Sequence, residues 1–150
     1  MQKIPINKQA AVYSGIVAGA IFIVSQTVMA AVFVGQSPWV HPRLIAGIIM
    51  GDAALVPLTT FSLPVILLGL AVHFSLAVVY SFALIWMASL RSFRFLTVDG
   101  AIFGFILYYI NYYGLTVVFP WFALSRNWPN VLNHVLFGMI AAFTYKKSAR

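Results

Sequence analysis

The sequence holds no cysteine, and its only acidic residues are Asp52 and Asp99. The first absence excludes disulfides, thiolate metal sites and cysteine nucleophiles. The second leaves no carboxylate at the depth of the histidines to complete a hydrolytic triad; no nucleophile with an acid–base set is evident, and no enzyme is expected. Charge of either sign is scarce, at 7% of residues, against about a quarter in an ordinary soluble domain. So little charge cannot cover an apolar core with a wetted surface. In its place stand 63% hydrophobic residues and a mean hydropathy of +0.98. Lipid is therefore the expected solvent, and residues 1–150 read as one all-α integral membrane domain.

Four apolar stretches, about 10–35, 63–90, 96–119 and 129–145, read as spanning helices of a four-helix bundle. The fourth is short and needs tilt or a thinned bilayer. Asn7 and Ser62 stand where helix caps belong, Pro64 falls in a first turn, and Asp99 opens the third span beside Arg91 and Arg94. Lys3, Lys8, Arg91, Arg94, Lys146, Lys147 and Arg150 lie on one side of this arrangement, and only Arg43 and Arg126 on the other. That asymmetry places both termini in the cytoplasm. It also accounts for the net charge of +7, so nucleic acid is not an expected partner. The first span is too long, and lacks a small-residue cleavage motif before a soluble domain, to be a removed signal peptide. Residues 44–56, LIAGIIMGDAALV, are too few to cross. With Pro42 as a start signal, they read as an interfacial or re-entrant helix on the outer face.

Glycines mark the faces where these helices approach one another: Gly15 with Gly19, Gly47 with Gly51, Gly100 with Gly104, and Gly138. On the same faces each span carries one strongly polar side chain, Gln26, His73, Asn111 or His134. Facing lipid, such groups would be costly, so they are expected to point inward. At about 1.5 Å per residue, Gln26, His73 and Asn111 lie roughly 12–16 Å from the outer ends and His134 about 7 Å. The expectation is a polar layer, either a pocket opening outward or a hydrogen-bond network, roofed by segments 47–52 and 121–128. Its outer rim would be His41, Arg43, Asp52, Arg126 and Asn130. Asp52 is too far along one helix to pair directly with Arg43, so either one of them finds a partner elsewhere or the two are solvated charges at a water boundary. Two histidines on separate spans suggest bis-histidine haem b, but their depths differ by about 9 Å. No metal-ligand spacing is present, and neither metal nor cofactor is expected. A cation-coupled exporter would need a mid-membrane carboxylate, which the chain lacks.

Several of these residues carry a resemblance: Ser37–Pro38–Trp39, Pro42–Arg43, His73–Phe74, Asn111, Phe119–Pro120–Trp121–Phe122, Arg126–Asn127–Trp128, and His134 with Gly138. Over nearly its whole length the chain resembles small bacterial four-span membrane proteins, sometimes labelled sodium:proline symporters. The resemblance implies a four-span topology in the bacterial inner membrane and brings no established activity. Sodium:solute symporters use many more spans in inverted repeats, which four spans could imitate only by oligomerising. The expected function is non-enzymatic. The chain would be an accessory subunit packing with another membrane subunit or with itself, or a bundle holding a small ligand or lipid in its outer pocket. The other reading is a small oligomeric transporter or channel lined by the polar layer.

Overall fold

A chain this apolar satisfies its backbone polar groups most simply within helices, and the computed structural model is all-helical over the residues it describes, 5–90 and 95–149. Lys3, Arg91, Arg94 and Arg150 lie outside them, and with them much of the expected basic side. Helix α1 spans Lys8–Met29; the Asn7 side chain caps it by accepting from the Ala10 N–H at 3.1 Å. It relaxes into a π-helical turn, Ala30–Val34, and stops at Gly35, whose φ of 68° is left-handed. Helices α2 (Val40–Met50) and α3 (Asp52–Leu55) follow, then α4 over Leu63–Ser89. Ser62 stands at the α4 cap position but its side chain makes no capping bond, so Pro64 in the first turn is what marks the start. Helix α5 spans Leu96–Tyr109 and continues through a π turn, Ile110–Gly114, and a 3-10 turn, Leu115–Val117. After a 3-10 segment at Pro120–Ser125, α6 runs Trp128–Ser148, longer at both ends than expected. Asn127 caps it through the Asn130 N–H, Pro129 lies in its first turn, and Lys146 and Lys147 lie in its last.

Three helical runs, Lys8–Val34, Leu63–Ser89 and Leu96–Val117, are long and apolar enough to cross a membrane. Helix α6 is less apolar because of its position. It packs against both α5 and α1, so Asn130, Asn133 and His134 face protein. The bundle exterior is apolar instead: Val24, Val32 and Val117 are 64%, 67% and 88% exposed. A water-soluble surface rarely shows such continuous apolar area.

Glycines set the close helix pairs. A side chain at Gly100 would strike the Gly138 carbonyl, and one at Gly104 the His134 carbonyl, so the α5 and α6 backbones meet directly. At Gly15 an added Cβ would lie 2.8 Å from Val78 Cα, and at Gly19 2.9 Å from Ala77 Cβ, which brings α1 against α4. Beside Gly15, the buried Ser14 and Ser81 hydroxyls bond each other at 2.7 Å, and Ser81 also donates to the Ala11 carbonyl. The Asn7 N–H donates to the Tyr145 hydroxyl at 3.1 Å, so the start of α1 and the end of α6 share one end of the bundle.

The short helix departs from expectation in two ways. It begins at Val40 rather than residue 44, and it breaks at Gly51, where a φ of 59° ends α2 before α3. Gly51 is therefore a turn glycine, with nothing near where a side chain would project, and not a packing partner of Gly47. The burial of α2 from Val40 to Gly47 fits the re-entrant alternative and not a helix resting on a surface. Gly47 takes the edge of Trp121, the Pro42 carbonyl sits over Gly69 of α4, and the Trp121 indole N–H donates to the Leu44 carbonyl at 2.9 Å.

Arg43 holds this wedge in place. It is 3% exposed, and its guanidinium donates to the Ala54 carbonyl at 2.7 Å, the Thr60 carbonyl at 2.8 Å and Thr60 Oγ1 at 3.2 Å. The expected partners are thus backbone carbonyls and a hydroxyl, and the residue is a buried tether and no part of a solvated rim. Asp52 is exposed at the turn.

Candidate functional site

All three histidines of the chain line one cavity of about 70 Å³. His41 comes from α2, His73 from α4 and His134 from α6, and Phe22 of α1 stands among them. The Phe22 ring centroid lies 5.8 Å from that of His41, 5.6 Å from His73 and 5.0 Å from His134. Asn111 and Tyr112 enter from the π turn of α5, and Tyr80 from α4. The remaining walls are apolar, among them Leu76, Leu107, Leu115, Phe122 and Phe137.

Hydrogen bonds fix most of the polar groups. The Tyr80 hydroxyl donates to Asn111 Oδ1 at 2.9 Å, which leaves the Asn111 amide nitrogen as donor toward His134 Nε2 at 3.3 Å. His134 Nδ1 lies 2.8 Å from the Asn130 carbonyl, which can only accept, so Nδ1 carries the proton and Nε2 accepts from Asn111. His73 in turn gives its Nε2–H to the Gly19 carbonyl at 2.9 Å. For either imidazole to ligate a haem iron through Nε2, one of these bonds would have to break. Among the described residues no group of three or more His, Asp, Glu or Cys is arranged to hold a metal ion.

His41 differs from the other two. Its Nε2 is, among the described residues, the buried side-chain polar atom with no hydrogen-bond partner. Leaving such an atom unpaired costs about 1–3 kcal/mol. Burial, and then repulsion from His73 and His134, lower its pKa from 6.5 to about 3, so the ring is neutral near pH 7. Unfolded, the imidazole takes up a proton below about pH 6.5 that the folded protein refuses. The His41 contribution to stability is therefore complete above that pH and lost as pH falls. At pH 5 the loss is about 2 kcal/mol from this group. Thermal melts between pH 7.5 and 5 should show the decline in the wild type and a shallower one in His41→Phe; parallel profiles would refute it.

The expected polar layer thus divides in two. His73, Asn111 and His134 line the cavity together, and His41, placed on the rim by the sequence, joins them inside. Gln26 does not. It is buried elsewhere, its Oε1 accepting from Asn133 Nδ2 at 2.7 Å while Asn133 Oδ1 accepts from Ser25 at 2.6 Å. Asn133 went unnoticed in the sequence, although it shares a helical face with Asn130 and Phe137. Asn133→Ala strands the Gln26 carbonyl in the interior and should cost about 1–3 kcal/mol. The double variant Gln26→Leu/Asn133→Ala should recover part of that, read as melting temperature.

Of the two other rim residues, Asn130 is reassigned and Arg126 is not. Asn130 is wholly buried, donating to the Ser125 carbonyl at 2.8 Å and accepting from Tyr112. Arg126 is exposed, as a rim residue would be, but it is engaged. It donates to the Tyr112 carbonyl at 2.7 Å and Thr116 Oγ1 at 2.8 Å, and covers the Tyr113 ring at 4.3 Å. The Tyr112 carbonyl, in the π turn where α5 widens, is satisfied this way.

No family model matches this chain, and no curated protein or solved structure matches it. Fold and site together define a class: an all-α bundle, apolar outside, with a histidine-lined cavity under a wedged helix.

Proposed function

We propose that the chain is a multi-pass protein of the bacterial inner membrane, with α1, α4, α5 and α6 as its four spans and both termini in the cytoplasm. Its role is non-enzymatic: it binds a small ligand in the cavity beneath α2, alone or as the accessory subunit of a larger membrane assembly. One observation carries the reading. Histidines from three elements converge on a single cavity, and one of them keeps a buried nitrogen unpaired. A packing network has no reason to leave that atom empty, whereas a binding site does. The shared end of α1 and α6 supports an even number of crossings. The resemblance to small four-span bacterial proteins fits the same topology.

The test is native mass spectrometry of the protein extracted directly into lipid nanodiscs, beside an absorbance scan. A bound small molecule or a co-purifying subunit supports the proposal. A bare homo-oligomer whose His73→Ala variant changes solute flux while remaining folded would replace it with the transporter reading.

A further inference from the structure

The position of the cavity mouth bears on what enters it, if the cavity is a ligand site as proposed above. His41, His73, His134, Phe122 and Phe137 are buried, whereas Ile48, Leu76, Tyr80, Asn111 and Leu115 are partly exposed. The partly exposed set comes from α2, α4 and the end of α5. Helices α4 and α5 touch along little of their length, in contrast to the close α5–α6 pair. The opening therefore lies on the flank of the bundle, between two of its most apolar helices, and α2 closes the outer end. The Tyr80–Asn111 hydrogen bond spans that opening at 2.9 Å.

The lining also limits the head group. Among the described residues it contains no Asp, Glu, Lys or Arg, so a charged group would enter without compensation and at high cost. What it offers is neutral hydrogen bonding. His41 Nε2 is unpaired, one Asn111 N–H is left after His134 is served, and His73 keeps an acceptor at Nδ1 once Nε2–H is given to Gly19. About 70 Å³ admits a few non-hydrogen atoms and no whole lipid, since one water needs about 10–15 Å³ on this scale.

We propose that the cavity is a lateral site for an uncharged, membrane-dissolved molecule. Its hydroxyl or carbonyl end hydrogen-bonds His41 Nε2, and its apolar body leaves between α4 and α5, with Tyr80–Asn111 as the bolt across the entrance.

The test uses the full chain in phosphatidylcholine nanodiscs and a photoactivatable diazirine analogue of hexadecanol, with crosslinks mapped by mass spectrometry. Labelling should saturate on peptides around His41, Tyr80 and Asn111, and be competed by hexadecanol but by neither palmitate nor glycerol. His41→Phe should weaken it about tenfold, the equivalent of one hydrogen bond, while His41→Gln, which still bonds, retains most of it. Tyr80→Phe removes the bolt and should speed labelling; it gives an independent reading should His41→Phe not fold. Unsaturable labelling spread over outer faces such as those at Val24 and Val117 overturns the inference. Protection of the cavity by glycerol overturns the lipid-borne source and leaves the small-ligand reading standing. A cavity neither labelled nor protected, with water alone at His41, defeats both.

Discussion

Gly138→Leu is expected to yield no folded bundle. A side chain there would run into the Gly100 carbonyl, with the carbonyl carbon 2.8 Å and the Gly104 nitrogen 3.1 Å from the added Cβ. These are backbone atoms of a long helix, so they cannot turn aside as a side chain would. Accommodation requires α5 and α6 to separate, and α6 is also packed on α1. Overpacking of a tight core costs about 1–3 kcal/mol where side chains can adjust, and more where a helix pair must move. That is a large share of a typical stability of about 5–15 kcal/mol. Gly104→Val meets the His134 backbone from the other side and should behave alike. Gly114→Ala, with nothing within 4 Å of the added Cβ, is the control and should melt within a degree or two of wild type. Yield and melting temperature in one detergent decide it; a well-folded Gly138→Leu protein would show that the two helices are not locked at these glycines.

Arg43→Met should detach the wedge while sparing the bundle. The change removes three donors, one of them serving the buried Ala54 carbonyl and another the half-buried bond to the Thr60 carbonyl. Charge-assisted bonds contribute about 1.5–3 kcal/mol each, and a stranded carbonyl costs as much again. The combined loss, about 3 kcal/mol or more after relaxation, falls on α2, α3 and the turn to Ser62 and not on the long helices. Hydrogen exchange should accelerate over residues 40–60 and stay slow in α5 and α6. Arg43→Lys should rescue little, because a single ammonium cannot reproduce the planar fork that reaches Ala54 and Thr60 together. Uniform loss of protection along the whole chain would show instead that the wedge and bundle unfold as one unit.

The His41 nitrogen ties these predictions to the proposed site. If Arg43→Met frees α2, His41 should lose its burial, and the acid sensitivity assigned to it should shrink in the same variant.

Much of this molecule is readable from composition and spacing alone. The near absence of acid, long apolar runs, and glycines four apart on α1 and α5 dictate an all-α bundle with an apolar exterior, because only helices and closed barrels hide backbone polar groups in lipid and these runs are too long and too continuously apolar for barrel strands. His73, Asn111 and His134 were legible as inward groups for the same reason: they sit on glycine faces of helices too apolar to carry them outward. Helix boundaries followed where a cap or proline marks them, as at Asn7, Pro64 and Pro129.

The tertiary structure decided what pairwise geometry decides. Gln26 and His73 look equivalent at helical spacing, but Gln26 meets Asn133 across α1 and α6 while His73 reaches the cavity. His41 and Arg43 lie in a short stretch next to a loop, where sequence suggests a wet rim. They are buried because Gly69 lets the Pro42 backbone settle on α4 and Trp121 closes over Gly47. Periodicity assigns a residue to a face of its own helix. Which neighbour that face meets depends on contacts between segments far apart in the chain, and those contacts brought three histidines to one cavity.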